Sequence, residues 1–196
     1  MAFEIVSPSP TYLEAYLDAC QATWGQVHDT YIIHDPAACS VWKETIFADY
    51  ENERLGIALP PGEVPSATFW LIEQTEEPVC LGVLNIRLRL NETLRQYGGN
   101  AGWFVRTDRR GQGIASELVQ RLPDLFDRLG IQDDILLTCY EANTPCRKIL
   151  TKIRNGNLER AIVNIEGKPV SVLRVTIPHP KLPCSTALPP RALTES

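Results

Sequence analysis

The chain has 196 residues, 44% of them hydrophobic and 22% charged, enough to bury one sizeable core but too few for two comfortable domains. A formal net charge of -5 argues against a broad surface for nucleic acid, although Arg106, Arg109 and Arg110 form a local basic patch. No apolar run reaches the roughly 18 residues of a membrane span, and Met1-Ala2-Phe3-Glu4 lacks the basic-then-apolar start of a secretion signal, so a cytoplasmic protein with neither membrane nor nucleic acid as partner is expected.

Phe3 to Val6 reads as an edge strand closed by Ser7-Pro8-Ser9-Pro10. Thr11 and Glu14 have capping-box spacing, and Leu13, Tyr16, Leu17, Cys20 and Trp24 follow at helical intervals. A second helix is predicted from Cys39 to Arg54, before Pro60-Pro61-Gly62 breaks the chain. Thr68 to Ile72 is aromatic and β-branched, which predicts a strand, and Glu76-Glu77-Pro78 turns it. The next strand is predicted over Cys80 to Leu90, with Leu84, Ile86, Leu88 and Leu90 on one face and Asn85, Arg87 and Arg89 on the other. Gly98-Gly99 leads into a strand from Ala101 to Val105.

Ile114, Leu118, Leu122, Leu125 and Leu129 predict a helix over Gly111 to Leu129, ended by Gly130 and kinked or broken at Pro123. Ile135 to Tyr140 is a near-continuous apolar run, hence a strand buried on both faces. Asn143 to Arg154 reads as a helix with Pro145 in its first turn. Leu158–Ile165 and Val170–Ile177 form a hairpin around Glu166-Gly167-Lys168. This order implies a mixed α/β sheet with helices on both faces, one domain over residues 1–177, and a proline-rich tail over 178–196. The six cysteines form no C-x-x-C pair and read as reduced thiols, and His28, His34 and His179 show no metal-ligand spacing with them, so no metal is expected.

The stretch with chemical content runs from Gly102 to Ser116, GWFVRTDRRGQGIAS. A strand ends at Val105 or Arg106, a loop with Gly111 and Gly113 follows, and a long helix begins. Amides of a helix's first turn, with its positive dipole end, bind anions, and glycines let the backbone close on a phosphate. The reading is a pyrophosphate clamp supported by Arg109 and Arg110. The spacing is neither G-x-G-x-x-G nor G-x-x-x-x-G-K-[ST].

Arg110-Gly-Gln-Gly113-Ile-Ala115 resembles the R/Q-x-x-G-x-G/A signature of the GNAT acetyltransferase superfamily, between the strand and helix it requires. Gly82 to Asn91, Gly98 to Val105, Leu137 to Asn143 and Arg147-Lys148 look like one bacterial branch of it, chiefly of uncharacterised predicted acetyltransferases. The resemblance implies the GNAT fold, a central, mostly antiparallel, splayed sheet of six to seven strands. It implies acetyl-CoA as cosubstrate, its pantetheine arm paired with the strand ending at Val105 and its pyrophosphate on the amides of Gln112, Gly113, Ile114 and Ala115. Phe104, Val105, Arg106, Arg110, Gly111 and Asn143 complete the implied cofactor site, Asn143 being equally suited to cap a helix.

Many members carry a tyrosine seven residues after that Asn as the acid for the departing thiolate; here the residue is Leu150, and Tyr140 is the candidate substitute. Glu141 is the candidate base, with Asp108 second, and the amides near Phe104 and Val105 would stabilise the oxyanion. Cys139 as a covalent nucleophile is set aside for want of a paired His. Arg87, on the strand the family places beside the acceptor groove, is the candidate ligand for a substrate carboxylate. The expected acceptor is a small-molecule or peptide amine, and a homodimer is compatible with the sequence. The alternatives are a non-catalytic acyl-CoA-binding or sensor module and an interaction protein that keeps only the fold.

Overall fold

The computed structural model describes residues 2–24 and 33–179. His28, Cys184 and the tail from residue 180 onward lie outside the described residues. The elements in order are β1 (Glu4–Val6), α1 (Leu13–Thr23), α2 (Cys39–Trp42), α3 (Ile46–Leu55), β2 (Ser66–Glu73), β3 (Val79–Arg87), α4 (Glu92–Gln96), β4 (Ala101–Val105), α5 (Ile114–Arg128), β5 (Ile135–Tyr140), α6 (Thr144–Leu150), β6 (Asn157–Ile165) and β7 (Lys168–Ile177).

The strands form two antiparallel sheets, β1-β2-β3-β4 and β5-β7-β6. β4 and β5 are therefore edge strands, and no ladder joins them. The sheets meet at a short junction. The Asn100 amide donates to the Leu136 carbonyl at 2.7 Å, the Leu136 amide donates back to Asn100 Oδ1 at 2.8 Å, and the Gly98 amide donates to Thr138 Oγ1 at 2.8 Å. Gly99 (φ 61°) lies so close that a Cβ would drive into the Leu136 carbonyl.

Two apolar clusters cover the sheet's faces. α5 supplies Ile114, Leu118, Val119, Leu122, Leu125 and Phe126 to one, against Leu84, Ile86, Ile135, Leu137 and Val175. On the other face α1 and α3 pack over Trp70, Val83 and Phe104. There the Tyr16 ring stacks on Trp70 with centroids 4.4 Å apart, Tyr16 Oη lies 2.7 Å from His34 Nδ1, and Trp42 Nε1 donates to the Asp35 carbonyl at 2.8 Å.

Several boundaries differ from expectation. Residues 39–54 form two helices, because the chain turns at Lys43–Thr45 with Thr45 donating to the Trp42 carbonyl. The Thr11–Glu14 capping box does not form: Pro10–Tyr12 is a 3-10 turn, and Glu14 pairs with Lys43 at 2.8 Å. β3 stops at Arg87 rather than Leu90, and Asn91 caps α4 by accepting the Leu94 amide at 2.9 Å. Pro123 leaves α5 unbroken, and α6 ends at Leu150 rather than Arg154. Gly130 (φ 72°) ends α5 with the Ile131 amide on the Phe126 carbonyl at 2.9 Å. His179, the second residue of the expected tail, is buried: its amide donates to Asp134 Oδ1 and its Nε2 lies on Asp127 Oδ1, each at 3.0 Å.

Candidate active site

β4 alternates its backbone groups between two directions. Arg87 N–H donates to the Asn100 carbonyl at 2.8 Å and Arg106 N–H to the Leu81 carbonyl at 2.9 Å. By the period of an antiparallel ladder, Gly102 and Phe104 then face β3, while Trp103 and Val105 direct their N–H and C=O to the open edge. The Phe104 side chain is buried under α1. Phe104, expected among the cofactor contacts, thus has its backbone committed to β3, and Trp103 takes its place on the free edge. Strand periodicity would have found Trp103 once β3 was known to be the partner.

Past Val105 the chain folds through a 3-10 turn at Thr107–Arg109. Arg106 is only 6% exposed. Its guanidinium donates to Asp18 at 2.9 Å and to Asp108 at 2.7 Å. Burial opposes the charge, but the hydrogen bonds to Asp108 and Asp18 outweigh it. Arg106 in turn holds Asp108 below the usual carboxylate range by hydrogen bonding. The side chain of Arg106, expected at the cofactor, ties β4 to α1 and the loop, with Asp108 as one of its two ion partners. Arg109 reaches Glu73 at 3.6 Å. Arg110 is exposed, makes no ion pair among the described residues, and donates through Nε to the Val105 carbonyl at 3.1 Å.

Gly111 (φ 79°) and Gly113 (φ 86°) bring the chain into the 15-residue helix α5. Gly113 is the N-cap and offers no side-chain oxygen. The amides of Gly111, Gln112, Gly113, Ile114 and Ala115 meet no acceptor among the described residues. Nothing lies within 4 Å of a Cβ built on either glycine, so the loop is open as well as left-handed. These main-chain donors, the positive end of α5 and the Arg110 charge fit a diphosphate. The open edge of β4 continues from them toward the junction at Asn100 and suits an extended amide-bearing arm.

Across the gap, β5 ends at Tyr140, whose side chain is 45% exposed. The Asn143 amide donates to the Tyr140 carbonyl at 2.9 Å, and Asn143 Oδ1 caps α6 by accepting the Cys146 amide at 3.2 Å. Its Nδ2 has no partner among the described residues and is left as a donor. Leu150, where the family tyrosine is expected, is 1% exposed and belongs to the core. Cys139 is buried, and hydrogen bonding from Cys146 lowers its pKa.

Two expected residues make contacts away from the β4 edge. Glu141 continues the β5–β7 pairing, accepts Ser171 Oγ–H at 2.6 Å and pairs with Arg160 at 3.0 Å. The Ser171 hydrogen bond, with Arg160 beside it, holds its carboxyl below the usual range, and both partners belong to the β6–β7 hairpin. Arg87 donates Nη1 to the carbonyls of Gly98 and Gly99 at 3.0 and 3.1 Å, clamping the turn that forms the sheet junction rather than standing free for a carboxylate.

A family model described as the acetyltransferase (GNAT) domain matches residues 14–154. The chain belongs to this family. No curated protein sequence matches it significantly. Among solved structures, the ribosomal-protein-S5-alanine acetyltransferase from Vibrio fischeri is similar with a TM-score of 0.62 at 11% identity, over 92% of this chain and 95% of that one. A ribosomal L7/L12 alpha-N-protein acetyltransferase, RimL, in complex with coenzyme A gives 0.58 at 14% identity, covering 90% and 93%. The microcin C7 self-immunity acetyltransferase MccE, in complex with acetyl-CoA and AMP, gives 0.59 at 11% identity, covering 89% and 91%. At these identities the likeness is one of fold. Among the described residues no helix is long and apolar enough to cross a membrane, and no group of His, Cys, Asp and Glu could hold a metal ion.

Proposed function

We propose that this GNAT protein transfers the acetyl group of acetyl-CoA to a primary amine by direct attack, without a covalent enzyme intermediate. The observation that carries this reading is the run of unpartnered amides from Gly111 to Ala115 at the start of α5, beside the open edge of β4. The family membership and the CoA and acetyl-CoA in the complexes of two structural relatives support it.

Acetyl-CoA supplies the activated acyl group. Gln112 to Ala115 hold its diphosphate by main-chain hydrogen bonds, and Arg110 adds charge, leaving the Val105 carbonyl for the pantetheine arm. Trp103, Val105 and Asn143 Nδ2 orient that arm. The Val105 amide, on the free edge, faces the oxygen that gains charge during attack. Tyr140 is the candidate acid for the departing thiolate. With Glu141 and Asp108 held in ion pairs, proton removal from the amine falls to water in the cleft.

A second reading, an acyl-CoA-binding or sensor module, is favoured by one observation: the core placement of Leu150 where a general acid would stand. The two separate in one experiment. Acetyl-CoA binding is measured first by calorimetry, then CoA release is followed on a panel of peptide N-termini, polyamines and amino acids. The enzyme reading predicts binding and amine-dependent release. Binding with no release on any amine would favour the sensor, and absence of binding would remove both.

A further inference from the structure

We propose that a polar cavity beside the sheet junction binds a small zwitterion of the α-amino-acid type. The cavity, of about 250 Å³, is lined by Arg89, Leu90, Arg95, Asn100, Asp133 and Asp134. It gathers the segment after β3, helix α4, the residue before β4 and the approach to β5.

Its fixed point is Asn100, which is 3% exposed. The Leu136 N–H can only be satisfied by the side-chain oxygen, at 2.8 Å, so the orientation of the Asn100 amide is settled and Nδ2 is the atom left over. Nδ2 has no acceptor among the described residues. Around it stand charges of both signs that do not pair with one another. Arg89, Arg95 and Asp133 make no side-chain hydrogen bond or ion pair among the described residues, although they share one cavity. Two of the lining segments are tied to the hairpin side and to the chain after β7: the Arg95 carbonyl accepts Arg174 Nη2–H at 2.9 Å, and the Asp134 side chain accepts the His179 amide through Oδ1 at 3.0 Å.

Two guanidiniums and an amide N–H suit a carboxylate, and two carboxylates suit an ammonium group. A simple anion would meet the aspartates and a simple cation the arginines, so the lining selects a molecule carrying both charges. The volume falls below the ~300–1,000 Å³ of drug-sized sites, which limits the ligand to about the size of an amino acid, its side chain toward Leu90. Asn100 and Val105 lie roughly 17 Å apart along β4, so the site is distinct from the phosphate loop. It touches the only backbone pairing seen between the two sheets among the described residues, so a ligand there is expected to couple reciprocally to the cleft.

The test is calorimetric titration of the full chain, without acetyl-CoA, using glycine, L-leucine, L-lysine and L-glutamate. 4-Methylpentanoate and 3-methylbutylamine serve as leucine without its amine and without its carboxylate. The proposal expects at least one amino acid to bind and each half-molecule to bind at least tenfold more weakly than leucine. Arg89→Ala and Asp133→Asn, both at exposed positions, should each weaken amino-acid binding at least tenfold while leaving the melting temperature and acetyl-CoA affinity of the empty site in place. Three results would each overturn it: no binding by any amino acid, 4-methylpentanoate binding as tightly as leucine, or binding that both variants leave unchanged. Because the titration needs neither acetyl-CoA nor turnover, its outcome is independent of the acyl-transfer reading.

Discussion

Arg106 joins β4, α1 and the loop before α5 through a single guanidinium with two carboxylate partners. Both partners are more than half exposed, so Arg106→Met is expected to lower stability by about 1–3 kcal/mol, less than for a fully buried pair. Urea unfolding should show a lower midpoint with an unchanged slope. Glu141 lies below its ordinary pKa and is already a carboxylate across the working range, stabilised by Ser171 and Arg160. Glu141→Gln is therefore expected to leave kcat/KM within about twofold and the pH–rate profile unmoved, whereas Tyr140→Phe should lower kcat by roughly 10²-fold, the usual scale of a general acid. Steady-state kinetics across pH checks both. These two neighbours also show what residue types alone could not tell. Both stand where β5 ends, and only the register with Ser171 on β7 assigns Glu141 to the hairpin. Arg87 is a similar case: its charge was legible, but its partners are carbonyls of a turn eleven and twelve residues away.

At the scale of elements, the glycine loop and α5 were legible because their physics is local. Left-handed glycines, a strand before and an amphipathic helix after can be read within one window. Gly113 sits at φ 86° with open space around it, so Gly113→Ala is disfavoured by about 1–2 kcal/mol of backbone strain rather than by a clash. Acetyl-CoA affinity should fall at least tenfold, measured by calorimetry. The α1–α3 face was less legible, because its aromatic cluster is assembled from distant segments. Burial there lowers the pKa of His34 below 6.5, partly opposed by Asp49. The unfolded chain then takes up a proton before the folded one. The contribution of His34 is complete above about pH 6.5 and is lost as pH falls toward the lowered value. Melting temperatures measured between about pH 7 and 5 should fall for the wild type and fall less for His34→Gln.

At the scale of the molecule, the proposed function uses two antiparallel sheets that touch at Asn100 and Leu136 and leave β4 and β5 without a mutual ladder. Most elements followed from periodicity, and helices on both faces followed from the order of those elements along the chain. The gap did not, since an unpaired edge has no signature within a single strand; it entered the sequence reading only through the resemblance to GNAT proteins. Asn100 went unremarked for the same reason, because its role is to replace a ladder bond across the junction. The central claim is that main-chain donors opening α5, with the free edge of β4, hold the cofactor. Amide-resolved NMR during titration with acetyl-CoA tests it directly. The largest shifts are predicted at Gly111, Gln112, Gly113, Ile114 and Ala115, with Trp103 and Val105 next and the far hairpin at Glu166–Lys168 silent. Saturating acetyl-CoA that leaves the loop amides unmoved, or that shifts only residues remote from α5 and β4, would contradict it.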